Sequence, residues 1–217
     1  MSKVKNSKTP FANDSYAYED DIKLFILKNR GLFIKDDEEA VALFEKGIVH
    51  SHTLTDCLIF SGETGLVGIE IKTAHDSKKR LRRQLKDYTA VCDYVYVMIH
   101  DVMYTEVQDI LQEYAQVGIY CYNEIKGHLV VGLIRPAVYN RHNYATTLDT
   151  MWYTELRDML SYLCFEHGKK IPKVHGKKGM EHYMLTHFNV EEVVKTYYYR
   201  VIDDKHDPDK YEKHYRL

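Results

Sequence analysis

The segment running from Thr55 to Thr73, TDCLIFSGETGLVGIEIKT, constrains this chain more than any other part of it. Two runs rich in apolar and β-branched residues, TDCLIF and LVGIEIKT, flank the turn cluster SGETG, a pattern that predicts two antiparallel strands joined as a hairpin. Residues two apart on a strand share a face. Val67, Ile69 and Ile71 therefore point one way, and Gly68, Glu70 and Lys72 the other. With SGETG as a five-residue loop between Phe60 and Leu66, position 60 pairs with 66, 58 with 68 and 56 with 70. Asp56 then faces Glu70 across the strands.

Carboxylates opposed in this way repel by some tenths of a kcal/mol up to about 1 kcal/mol, so the pair needs compensation. A hard divalent cation supplies it, because Mg²⁺ is typically held by one or two carboxylates and otherwise by water and substrate phosphates. Lys72, on the same face, is placed to hold an attacking water or a reacting phosphate and to offset charge that develops in the transition state. Asp56 and Glu70 are thus the expected ligands of Mg²⁺ or Mn²⁺, with Lys72 beside them.

Around the hairpin the sequence reads as an α/β chain. YEDDIKLFILKNRG has acids in its first turn and a glycine stop, which predicts a helix, and DDEEAVALFEKG reads as a second helix ending at Gly47. SKKRLRRQLKDYTAVC returns to helical spacing after the hairpin, with Leu81, Leu85, Tyr88 and Cys92 on one stripe. DYVYVMIH is a nearly continuous apolar run, as in a strand buried on both faces. MYTEVQDILQEYAQVG reads as a helix, and GIYCYNE and KGHLVVGLIRPA as strands. Alternation of this kind predicts a mixed β-sheet core flanked by helices. From Met151 onward the pattern is helical again. The expected organisation is a disordered N-terminus over 1–14, an α/β domain over 15–140, a helical module over 150–203 and a polar tail over 204–217.

Charge and cysteine usage exclude several classes. A net charge of -2 over 217 residues gives no global bias toward nucleic acid or membrane, so a polyanion site must come from local clustering. No run reaches the roughly 18 apolar residues of a membrane span, and the polar start MSKVKNSKTPFANDS lacks a signal-peptide core, which predicts a cytoplasmic protein with no membrane partner. Cys57, Cys92, Cys121 and Cys164 are far apart without a CxxC pair, so they are expected to be reduced thiols. Local clustering does occur: KKRLRRQLK, from Lys78 to Lys86, carries six Lys or Arg in nine residues. Lys78, Lys79, Arg80, Arg82 and Arg83 are candidates to bind a phosphate backbone without reading its sequence. Arg80, Gln84 and Tyr88 recur at i, i+4 and i+8 and so are expected on one helix face.

Asp56, then Glu70-Ile71-Lys72, then Gln84-Leu-Lys-Asp-Tyr88 resembles the signature of the PD-(D/E)xK nuclease superfamily, in particular its RecB-like and small phage and bacterial branches, where a QxxxY pattern follows the catalytic strand. The likeness covers residues 40 to 137. Thr55 departs from it by standing where the eponymous proline would be. The resemblance implies a restriction-endonuclease-like fold and a Mg²⁺- or Mn²⁺-dependent endodeoxyribonuclease, with Ile71 lending its carbonyl to the metal shell and Lys72 assisting the water nucleophile. It also implies a further acid ahead of the hairpin, Glu45 fitting best and Asp20 or Asp21 as rivals. Gln84 and Tyr88 would orient the lysine or touch the nucleic acid, and Asp76 and Arg80 would brace the site. The basic connector KKIPKVHGKKG between two helices resembles the helix-extended-helix of SAP-type DNA-binding modules, with Lys177 and Lys178 at a helix start suited to phosphate; a helical cap on the core is the alternative. DNA is the expected partner, with RNA, a homodimer and a protein partner left open. The competing class is a catalytically silent module of the same fold that binds nucleic acid or protein.

Overall fold

A computed structural model describes residues 17–35, 39–48 and 53–206. The N-terminal segment expected at 1–14 and most of the tail expected at 204–217 lie outside the described residues. The chain forms a mixed α/β structure. Among the described residues its sheet has six strands, β1 (Val41–Ile48), β2 (Thr53–Ser61), β3 (Gly65–Lys72), β4 (Tyr94–His100), β5 (Gly118–Ile125) and β6 (His128–Arg135), lying side by side in chain order. β1 to β3 are antiparallel neighbours, β3, β4 and β5 are parallel, and β6 returns antiparallel to β5. Parallel neighbours need crossover connections, and helices supply both: α2 (Leu81–Val91) between β3 and β4, then α3 (Asp101–Glu106) and α4 (Gln108–Glu113) between β4 and β5. The single helix expected over that last segment is broken at Val107.

The hairpin register is as expected, with Phe60 opposite Leu66 and Leu58 opposite Gly68, but the loop is shorter than expected, because Ser61 also pairs with Gly65 and only 62–64 connect the strands. Leu81, Leu85 and Tyr88 of α2 are fully buried. They pack with Leu58, Phe60, Val97 and Ile99 on one face of the sheet. The other face, with Ile59, Ile69, Ile71, Met98 and Tyr122, is covered by Ile22 and Ile26 of α1 (Glu19–Lys28).

The helix expected over DDEEAVALFEKG is instead strand β1, paired with β2 from Val41 opposite Phe60 to Ile48 opposite Thr53. A short apolar run satisfies either period, and long-range pairing decides between them. Here the run serves both faces: Val41 and Leu43 pack against one core, Ala42 and Phe44 against the other. Glu45 therefore lies on a strand and not on a helix. Its φ of 55° places it in the left-handed region, between the Phe44–Cys57 and Lys46–Thr55 pairs.

Helices α5 (Tyr144–Leu148), α6 (Tyr153–Glu166), α7 (Gly176–His187) and α8 (Val190–His206) complete the described residues. They share one apolar cluster with the sheet, in which Met159, Met184 and Tyr197 join Leu58 and Phe60. Tyr197 and Tyr198 meet Phe60 edge-on, with ring centroids 5.6 and 6.0 Å away. The Tyr198 hydroxyl donates to Asp93 Oδ2 at 2.7 Å, and the same oxygen accepts the Leu66 N–H at 2.8 Å. A helix of the C-terminal region is thereby fastened to the start of β3.

Gly68 carries a specific demand. A Cβ there would stand 2.4 Å from Tyr88 Cδ1 and 2.8 Å from Cys92 Sγ, both in the α2 layer. Gly68→Ala is expected to lower the unfolding free energy by about 1–3 kcal/mol, the usual cost of overpacking a core. Urea denaturation of the two proteins measures it.

Candidate functional site

The paired ladder of β2 and β3 ends at Cys57 opposite Ile69. One residue further the hydroxyl of Tyr88, from α2, enters between the strands. It accepts the Asp56 N–H at 2.7 Å and donates to the Ile69 carbonyl at 3.1 Å. With its backbone so engaged, Asp56 uses its side chain to reach β3, where Oδ2 accepts the Ile71 N–H at 2.7 Å. The carboxyl groups of Asp56 and Glu70 consequently come close enough for each to act on the other's pKa. Both are hydrogen-bond acceptors when ionised, so that approach is favourable only with a proton or a cation between them.

Lys72 supplies one positive charge. Its ammonium donates to Glu70 Oε1, and to the Ile71 carbonyl at 3.3 Å. Glu70 and Lys72 are almost fully buried, while Asp56 is partly open to solvent. Glu70 Oε2 is buried and meets no hydrogen-bond donor. Burial first, and then the Asp56 charge, push the Glu70 carboxyl up from 4.5 to about 8, with Lys72 acting in the opposite direction. Burial likewise raises Asp56, against the pull of the Ile71 N–H and Lys72.

The expected further acid is placed differently. Glu45 is exposed and bonded to Lys23 at 3.1 Å, so it does not join the pair. Among the acids at the head of α1, it is Glu19 whose charge acts on Asp56; Asp21 instead accepts the Tyr18 N–H at 3.0 Å. Glu19 holds Lys23 at 2.7 Å. Burial opposes the Lys23 charge, but the bonds to Glu19 and Glu45 outweigh it and raise its pKa. The i,i+4 spacing of Glu19 and Lys23 was readable in the sequence; their position beside Asp56 was not.

A metal at this site would be held by Asp56 and Glu70 Oε2, with the Ile71 carbonyl nearby. Among the described residues no group of three or more His, Cys, Asp or Glu is arranged to hold a metal ion. The donor set nevertheless suits a hard cation of the Mg²⁺ kind, for which two carboxylates suffice when water and phosphate oxygens complete the shell. The buried acceptor without a donor, Glu70 Oε2, is the atom that such an ion would satisfy.

Gln84 faces inward from α2, and its Oε1 is a second buried acceptor without a hydrogen-bond donor. Arg80 does not share its face. It is exposed in the 3-10 turn over Lys78–Arg80 that precedes the helix. Asp76 braces the turn after β3, accepting the Thr73 N–H and hydroxyl, each at 2.8 Å. Of the basic cluster, Arg82 is held by Glu113 through two bonds of 2.8 and 2.6 Å, and Lys78 reaches the Glu106 carbonyl at 3.3 Å. Lys79, Arg80, Arg83 and Lys86 are exposed.

Lys177 and Lys178 serve the fold rather than an open phosphate site. Lys177 Nζ lies 3.2 Å from Asp149 Oδ1, and Lys178 Nζ lies 3.3 Å from Asp149 Oδ2 and 3.0 Å from Glu181 Oε2. Asp149 and Glu181 are buried acids, and removing their lysines would leave buried charge uncompensated.

The family described as Bacteriophage P4 protein cII matches residues 12–209. No curated protein matches the chain. A solved structure, the SPO1766 protein of unknown function from Silicibacter pomeroyi, is 15% identical, with 61% of this chain and 85% of that one covered and a TM-score of 0.37.

An acid whose folded pKa lies above its unfolded value stabilises the fold below the unfolded pKa and loses that contribution as pH rises through the folded one. Glu70 should therefore cost the protein stability progressively between pH 4.5 and about 8. Glu70→Gln is expected to flatten the fall in unfolding free energy across that window, and urea melts at half-unit pH steps measure the slope.

Proposed function

The chain belongs to the bacteriophage P4 protein cII family, and we propose that it is a divalent-metal-dependent nuclease that hydrolyses DNA phosphodiester bonds. The observation that carries this reading is the convergence of Asp56, Glu70 and Lys72 at the splayed end of the hairpin, with Glu70 Oε2 buried and lacking a donor. Mg²⁺ or Mn²⁺, when bound, supplies Lewis acidity to a phosphoryl oxygen and lowers the pKa of a bound water. Asp56 and Glu70 would hold it, and the Ile71 carbonyl would be the further donor.

The chain's own groups do the rest. Lys72 is positioned by Glu70 and by the Ile71 carbonyl, which keeps its ammonium beside the reacting centre, where it stabilises negative charge developing on phosphate. Tyr88 holds Asp56 by its backbone and so fixes the carboxyl that faces Glu70. Partial exposure of Asp56 gives substrate an approach to a cluster whose other members, Glu70 and Lys72, are buried. Lys79, Arg80, Arg83 and Lys86 offer exposed positive charge along the element that follows β3, suited to a phosphate backbone. The cytoplasm of a phage-infected bacterium is the compartment in which such an enzyme would meet its substrate.

One observation favours a second reading, a silent module of the same fold. Lys72 already donates to Glu70, and both side chains are almost wholly buried, so the contact can stand as a structural element with no metal ion added. The two readings separate in one assay. Supercoiled, linear and single-stranded DNA are incubated with the full chain and Mn²⁺ or Mg²⁺, alongside Asp56→Ala, Glu70→Ala and Lys72→Ala. Cleavage abolished by EDTA, and reduced roughly 100-fold or more in each variant, is the expected result. Equal cleavage by wild type and Lys72→Ala overturns the nuclease assignment, and a total lack of cleavage favours the silent module.

A further inference from the structure

We infer that Tyr18 and His75 form a base-stacking platform at the edge of the acid site, and that the ligand it takes is a single-stranded nucleic acid with an unpaired base at that point. The inference rests on the nucleic-acid reading above and deepens it by naming the form of the substrate. The two rings come from distant parts of the sequence. Tyr18 immediately precedes α1, and His75 lies three residues beyond Lys72 in the loop that leaves β3. Their centroids are 4.8 Å apart and their planes differ by 9°, a parallel stack. Neither ring is sunk in the core: Tyr18 is 52% exposed and His75 is exposed.

Backbone hydrogen bonds fix both supports. The Tyr18 N–H is held by Asp21 at 3.0 Å, and the preceding Ala17 N–H by Glu124 Oε1 at 2.6 Å. The other Glu124 oxygen is bonded to the buried His100 at 2.8 Å. On the far side, the His75 N–H reaches the Thr73 hydroxyl at 3.3 Å, and that hydroxyl is itself held by Asp76. An exposed aromatic surface whose backbone is pinned in this way loses little further freedom when a third ring is added.

Position gives the platform its partner. Tyr18 adjoins Glu19, whose charge acts on Asp56. Along the chain, His75 lies between Lys72 and the exposed cations Lys79, Arg80 and Arg83. A strand whose phosphates follow those cations passes the platform on its way to the acid pair. Stacking on an aromatic face accepts any base but requires that the base be unpaired. Inside a duplex each base face is already covered by its neighbours, so a flexible single strand fits and a continuous duplex does not.

The test uses the full-length protein in EDTA, so that binding is read without cleavage. Fluorescence anisotropy compares a labelled oligo-dT with an abasic strand of the same length and charge, for wild type, Tyr18→Phe, Tyr18→Ala and His75→Ala. The expected result is a preference of wild type for the base-bearing strand on the order of tenfold. That preference is kept by Tyr18→Phe and lost in Tyr18→Ala and His75→Ala. Equal affinity of wild type for the two strands overturns the platform without any variant, as does an unchanged preference in Tyr18→Ala. The outcome is independent of the cleavage assay: a base preference without cleavage removes only the nuclease assignment, and cleavage without a base preference removes only the platform.

Discussion

The hydroxyl of Tyr88 between β2 and β3 is the contact on which the rest of the site depends. Had the ladder continued past Cys57 and Ile69, the backbone of Asp56 would have been spent on pairing. The Tyr88 hydroxyl accepts that N–H and donates its own hydrogen bond to the Ile69 carbonyl, so both strands remain satisfied where their ladder ends. Asp56 can then cross to the Ile71 N–H and bring its carboxyl against Glu70. The ring that delivers the hydroxyl is fully buried, and the room for it is made by the missing side chain of Gly68. Packing and site chemistry are therefore one problem: the glycine admits the ring, the ring opens the strands, and the opening places the acid.

A buried acid pair is costly, and the fold meets the cost in parts. Lys72 supplies one compensating charge to Glu70 and the Ile71 N–H steadies Asp56. The remaining deficit shows in the raised pKa of Glu70 and in its Oε2 without a donor. Glu70 Oε2 is the atom that the proposed cation would satisfy. Around it, Glu19, Lys23 and Glu45 form a more exposed rim of alternating charge. The same economy governs the C-terminal helices, where Lys177 and Lys178 are occupied with the buried acids Asp149 and Glu181.

Much of the site is legible in the order of residues along the chain. The alternation in GIEIKT fixes which residues share a face, and the turn cluster SGETG centres the register that brings Asp56 toward Glu70. Helical spacing places Leu81, Leu85 and Tyr88 in the core. The resemblance to the PD-(D/E)xK superfamily singles out Gln84 and Tyr88 together, yet only Tyr88 bonds across the hairpin, while Gln84 faces inward with an acceptor left over. What is not legible is the partner of each charged side chain. Glu45, expected to join the acids, is bound to Lys23, and Arg82, expected to bind phosphate, is clamped by Glu113.

The sequence by itself determined the local periods: the hairpin, its register, the buried stripe of α2 and the mixed α/β class. These follow from steric and hydrophobic rules that act within a few residues or across one tight turn. Only the tertiary structure decided that VALFEKGI is an edge strand rather than a helix, because a short apolar run takes its form from the neighbour that pairs with it. Tertiary structure also decided which charges meet. Long ionisable side chains span several ångströms, and their partners come from elements distant in sequence, so composition and spacing leave them undetermined.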